Sequence, residues 1–168
     1  MVGFMAKIRD ELGLELEELD LGGGLGIRYR GDDEPPEPEE YARIISQTVT
    51  SACSELNLPI PKIMVEPGRS IVGEAGTTLY TVGAVKDIPN VRRYVAVDGG
   101  MTDNPRVTLY QAVYEACLAN KAAEEPRDLV TVAGKCCESG DVLIKDIMLP
   151  PVEPGDILAV FSTGAYNY

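Results

Sequence analysis

Glu18-Leu19-Asp20-Leu21-Gly22-Gly23-Gly24-Leu25-Gly26 is the stretch that decides the fold. A strand near Glu18 to Leu21 runs straight into a glycine-rich turn. Upstream, Phe4, Ile8 and Leu12 recur at helical spacing and predict a short helix within residues 1–14. Downstream, an acidic, Pro-rich segment over 31–38 reads as a solvated loop. Pro38-Glu39-Glu40 then opens a long helix, with acids where the helix dipole is positive. Its apolar stripe is Tyr41, Ile44, Ile45, Thr48, Val49, Ala52 and Leu56. A short strand over 62–65 follows and ends in Glu66-Pro67-Gly68-Arg69-Ser70. Strand, helix, strand in this order implies parallel pairing through a helical crossover. Two strands cannot bury both of their faces, so residues 1–75 are expected to be part of a larger barrel or sheet.

Beyond about residue 76 the texture changes. Segments 77–85, 94–97, 129–133, 142–147 and 157–161 are rich in Val, Thr, Ile and Leu, with turns at Gly134, Ser139-Gly140 and Pro154-Gly155. Residues 76–168 therefore predict a mostly antiparallel β-barrel or sandwich. The fold class expected for the whole is α/β plus β.

Composition narrows the function. The 168 residues carry 27 acids against 15 Lys and Arg, no His and a formal charge of −12. That balance offers no basic footprint for nucleic acid and no attraction to an anionic membrane. No apolar run approaches the roughly 20 residues of a membrane span. Cys53, Cys117, Cys136 and Cys137 fit no zinc spacing and predict free thiols in a reducing cytoplasm. Cys53 and Cys117 lie in apolar stripes and read as core residues.

Several loops have the composition of sites. Gly22, Gly23 and Gly24 follow a strand, where backbone N–H groups can approach a phosphate. A tight turn with no ligand is the plain alternative, and the spacing is not that of a dinucleotide fingerprint. Glu66 and Arg69 sit at the C-terminal end of a strand, the edge at which parallel α/β folds bind ligands. A mutual surface ion pair, worth under ~1 kcal/mol, would explain them equally. Asp103-Asn104-Pro105-Arg106 lies in a long polar loop, and Tyr110 would share a face with Arg106 if a helix starts there. In Gly134-Lys135-Cys136-Cys137-Glu138-Ser139-Gly140-Asp141, Cys136 reads as a small buried residue at a strand end. Cys137 reads as functional, since a free thiol of pKa ~8.5 is mostly protonated at neutral pH and can serve as an acid. Tyr166 follows a glycine after the last strand.

Taken in order, Gly22-Gly23-Gly24-Leu25-Gly26, Glu66-Pro67-Gly68-Arg69, Asp103-Asn104-Pro105-Arg106 with Tyr110, Cys137-Glu138-Ser139-Gly140-Asp141 and Gly164-Ala165-Tyr166 resemble the diaminopimelate decarboxylase family along essentially the whole chain. The resemblance implies the last two strands of a cofactor-binding (β/α)8 barrel over 1–75, then most of a β-domain over 76–168. It implies pyridoxal 5'-phosphate as cofactor, meso-diaminopimelate as substrate and L-lysine as product. By the same comparison, Gly22, Gly23, Gly24, Glu66, Gly68, Arg69 and Tyr166 would bind the cofactor. Arg69, Arg106, Tyr110, Glu138 and Tyr166 would bind substrate. Cys137 would be the catalytic acid, contributed across a homodimer to the partner's site. Glu138 separates this pattern from ornithine- or arginine-type decarboxylases, which carry Asp after the Cys. The retained Cys137-Glu138 pair argues against a non-catalytic regulatory homologue. Val107 stands where the family usually has Pro. None of Lys7, Lys62, Lys86, Lys121, Lys135 or Lys145 has the setting of the family's Schiff-base lysine, which lies on the first barrel strand. The expectation is therefore an internal or C-terminal piece, truncated in the β-domain and inactive alone.

Overall fold

The computed structural model describes residues 1–168 and divides into two units. The first comprises 1–26 and 34–70; the second comprises 27–33 and 71–168.

In the first unit, α1 (Val2–Leu12) ends at Gly13, which adopts a left-handed conformation and closes the helix with its N–H on the Arg9 carbonyl. The face it buries is not the one expected. Met5 and Ala6 are enclosed, while Phe4 and Leu12 point to solvent. Met5 packs with Leu19, Val49 and Cys53, and that small cluster decides the helix rotation. Strand β1 (Glu18–Asp20) pairs in parallel with β2 (Lys62–Met64), joined by α2 (Pro38–Glu55). Of the α2 stripe, Val49 is buried and Tyr41 and Ile45 are half-buried, but Ile44 and Leu56 are exposed. The sheet has only these two strands. An open groove of about 250 Å³ lies along it, lined by Tyr41, Ala42, Ile45, Ser46, Ile63 and Val65. A short helix, α3 (Gly68–Val72), carries the chain onward.

The second unit is a six-stranded mixed sheet built from β3 (Thr78–Ile88), β4 (Arg92–Val97), β5 (Ala116–Leu118), β6 (Asp128–Ala133), β7 (Val142–Leu149) and β8 (Ile157–Val160). Its order is β5-β8-β3-β4-β6-β7. Every pairing is antiparallel except β4 with β6, which is parallel. Alternating Val, Leu and Ile side chains meet on one side: Val82, Val95, Val130, Val132, Leu118, Leu149, Leu158 and Val160 are fully enclosed. A five-residue helix, α4 (Arg106–Tyr110), follows the Asp98–Pro105 loop. No helix is long and apolar enough to cross a membrane.

Candidate functional site

The sequence-predicted residues fall into two groups, one in each unit. In the first unit the glycine turn is laced to the end of β2. The Leu21 N–H donates to the Met64 carbonyl at 3.0 Å, and the Glu66 N–H donates to the Gly22 carbonyl at 2.8 Å. Gly22 and Gly24 take left-handed backbone conformations, and a Cβ on Gly23 would collide with the Glu66 carbonyl oxygen. Only glycine satisfies both demands. The Gly22 N–H is taken by the Asp20 carboxylate at 2.8 Å. Arg69 reaches the Gly24 carbonyl with Nη2 at 3.5 Å, while its Nε is buried without a partner. Glu66 and Arg69 form no ion pair with each other. A buried, unpaired guanidinium donor beside a side-chain-free turn is the donor set an oxyanion such as a phosphate ester needs. The structure therefore brings Gly22, Gly23, Gly24, Glu66, Gly68 and Arg69 together.

The second unit assembles Arg106, Tyr166 and the Cys137 turn. The Arg106 guanidinium lies 5.0 Å from the Tyr29 ring centre and 5.1 Å from that of Tyr166. Its Nη1 donates to the Tyr29 hydroxyl and, at 3.4 Å, to the Tyr114 hydroxyl. Tyr29 meets Tyr114 edge-on, at 5.3 Å and 84°. Tyr166 has a positive φ of 65°, a strained backbone for an aromatic residue. Tyr110 follows Arg106 on α4 as expected, but the two side chains do not bond; Tyr110 is 73% exposed.

Asp141 joins the Arg106 loop to the cysteine turn. Its carboxylate, 3% exposed, accepts the Met101 N–H at 2.6 Å and the Cys136 N–H at 2.7 Å. From α4, the Thr108 hydroxyl donates to the Gly140 carbonyl at 3.0 Å. Cys136 lies in the turn after β6, half-buried, rather than at a buried strand end. Desolvation and then the Asp141 carboxylate raise its thiol pKa, so it stays protonated. Cys137 is exposed. Glu138 is exposed too, and its carboxylate accepts the Gly140 N–H at 3.1 Å and the Ser139 hydroxyl at 3.2 Å.

Sequence reasoning missed Tyr29, Tyr114 and Asp33. The Asp33 carboxylate accepts the N–H groups of Tyr29 and Arg30 at 3.0 and 2.9 Å, so the acidic loop does more than face solvent. An Asp four residues after an aromatic in a turn is the one signal that could have found it.

Comparison with known proteins gives a consistent answer. The chain is 58% identical over 160 residues to a diaminopimelate decarboxylase of Bacillus subtilis (strain 168), covering 95% of this chain and 36% of the relative. It is 55% identical over 156 residues to the Synechocystis enzyme of that name, covering 93% of this chain and 33% of the relative. Among solved structures, a diaminopimelate decarboxylase from M. jannaschii in complex with L-lysine superposes with a TM-score of 0.82 and 36% identity, over 98% of this chain and 37% of that one. The chain thus spans about a third of the length of the curated relatives it matches. The family described as pyridoxal-dependent decarboxylase, C-terminal sheet domain, matches residues 13–164, and the chain belongs to that family.

Proposed function

We propose that these residues are part of a diaminopimelate decarboxylase that uses pyridoxal 5'-phosphate to convert meso-2,6-diaminopimelate into L-lysine and CO2. The observation that carries this reading is identity of 52–58% to proteins of that name from five bacteria, over nearly the whole chain. The two parallel strands joined by the α2 crossover support assigning residues 1–75 to the end of a (β/α)8 barrel, since parallel strand–helix–strand units occur in sheets with further strands beside them.

When bound, the cofactor supplies an electron sink for the pair left on carbon as CO2 departs. The turn at Gly22, Gly23 and Gly24 binds its phosphate through the N–H groups of Gly23 and Gly24, the Gly22 N–H being held by Asp20, with Gly68 and Arg69 beside it. Glu66 holds a proton on the ring nitrogen. Arg69 and Arg106 bind the distal carboxylate, Tyr110 and Tyr166 flank it, and Glu138 pairs with the distal ammonium. Cys137 delivers its thiol proton to the carbon that has lost CO2, within the partner subunit of a cytoplasmic homodimer.

The full-length enzyme bearing Cys137→Ala tests this. Lysine formation from meso-diaminopimelate is expected to fall by about 10²–10⁴-fold, the range for losing a general acid. Unchanged turnover, or a wild-type enzyme that prefers ornithine or arginine, overturns the reading.

A further inference from the structure

Both hydrogen bonds that the Arg106 guanidinium makes within the protein are donated by Nη1, to the Tyr29 and Tyr114 hydroxyl oxygens. The opposite edge, Nε with Nη2, is neither bonded within the chain nor among the buried unpartnered atoms. That edge forms the parallel two-point pair with a carboxylate. Arginine is flexible and loses considerable rotamer freedom when it holds one geometry. Here the tyrosines have already fixed that geometry.

Tyr29 is itself held firmly. Its N–H is tied to Asp33, the Arg28 carbonyl accepts the Ser162 hydroxyl at 3.1 Å, and the Gly31 N–H donates to Glu115 at 2.8 Å. Its ring packs against the core of the sheet unit. Tyr114 is almost fully buried, but its hydroxyl is the more distant acceptor.

We propose that Tyr29 is a positioning residue for Arg106: by occupying Nη1 and stacking on the guanidinium, it turns the Nε–Nη2 edge toward the ligand and thereby sets selectivity for substrates carrying a distal carboxylate. Tyr29 touches no substrate in this account. The inference rests on the reading of Arg106 as a carboxylate-binding residue.

The test uses the full-length enzyme with Tyr29→Phe, which keeps the ring and removes the hydroxyl, and Arg106→Met as the control for the underlying reading. Tyr29→Phe is expected to raise KM for meso-diaminopimelate about 5–10-fold, the scale of one typical hydrogen bond, with kcat within about twofold. Inhibition by L-lysine, which retains that carboxylate, should weaken in parallel, and inhibition by 1,5-diaminopentane, which lacks it, should not change. In the cofactor-free protein, side-chain nitrogen NMR should show faster rotation of the Arg106 guanidinium in Tyr29→Phe than in wild type.

If Arg106→Met weakens lysine binding and Tyr29→Phe leaves both KM and guanidinium rotation unchanged, the inference falls and the carboxylate reading stands. If Arg106→Met changes neither KM nor lysine inhibition, that reading falls and takes the inference with it. Equal losses toward lysine and 1,5-diaminopentane, with lowered kcat and melting temperature, mark a merely structural tyrosine and also overturn it. Should Tyr29→Phe not fold, Asp33→Asn, which loosens the Tyr29 backbone and keeps its hydroxyl, must give the same KM-only effect in weaker form.

Discussion

The two units contain similar apolar residues and treat them very differently. In the sheet unit, six strands enclose Val95, Leu118, Val130, Val132 and Leu158 completely. In the first unit, two parallel strands and two helices enclose Met5, Ala6, Leu19, Leu25, Val49, Cys53 and Pro61, and leave Phe4, Leu14, Ile44, Ile60 and Val65 exposed. The lesson concerns neighbours rather than composition. Each strand buries its side chains only to the extent that adjacent strands and covering helices are present. The largest expected effect tests this contrast. Leu158→Ala should cost about 3 kcal/mol or more in urea unfolding, because a fully enclosed leucine leaves a cavity. Ile60→Ala, at a side chain 61% exposed, should cost under about 0.5 kcal/mol. Equal costs would mean that the first unit is covered in solution.

The second test strikes the polar side of the sheet unit, which has no counterpart in the first. Asp156 is 5% exposed and binds Lys121 Nζ at 2.8 Å, Asn120 Nδ2 at 2.8 Å and the Glu153 N–H at 2.8 Å. Burial alone would raise its pKa, but these donors outweigh burial and hold it below the ordinary value. A depressed folded-state pKa means stability that is present above about pH 4 and lost as pH falls through the folded value. Asp156→Ala should lower stability at neutral pH, because the Lys121 ammonium, the Asn120 amide and the Glu153 N–H all lose their shared acceptor. Its stability should also depend less on acid than that of wild type, as denaturant titrations between pH 5 and 2 would show.

The same contrast explains what was legible beforehand. The long strands β3, β4, β6, β7 and β8 announce themselves through Val, Thr, Ile and Leu runs bounded by glycine and proline. The parallel β4–β6 pair did not, because strand partners are chosen by tertiary packing and leave no mark on either strand alone. Strand β5, three residues long, is too short to carry a pattern. In α1 the apolar residues do not form a single stripe, so the partner cluster selects Met5 over Phe4, and spacing alone selects wrongly. At the site, the glycine turn and Glu66-Pro67-Gly68-Arg69 were readable because backbone demands restrict which residues can stand there. Tyr29 was not, since its role depends on Arg106, 77 positions away.

A third effect is smaller and appears only in alkali. Tyr80 is buried in the sheet unit near Asp103, and desolvation, followed by that carboxylate, pushes its pKa to about 12 from 10.0. A raised folded-state pKa means that the contribution is complete below pH ~10 and fades as pH climbs toward ~12, where the unfolded chain ionises first. Tyr80→Phe should therefore lose less stability than wild type between pH 10 and 12, with the difference visible in melting curves at matched ionic strength. If the two curves fall together, Tyr80 is not shielded as the sheet packing requires.

The smallest effect on stability carries the most information about the first unit. Ile44 on α2, Ile60 before β2 and Val65 after it are exposed in that unit, and exposed apolar side chains favour association with other surfaces. Ile60→Lys should change unfolding free energy by less than about 0.5 kcal/mol, because the side chain is already in water. Yet it should shift the sedimentation profile of this 168-residue chain toward smaller species, since a charge in an apolar contact must be desolvated to remain there. A profile unaltered by Ile60→Lys and equally unaltered by Ile44→Lys would show that these exposed side chains drive no assembly, and the contrast between the units would then be one of burial alone.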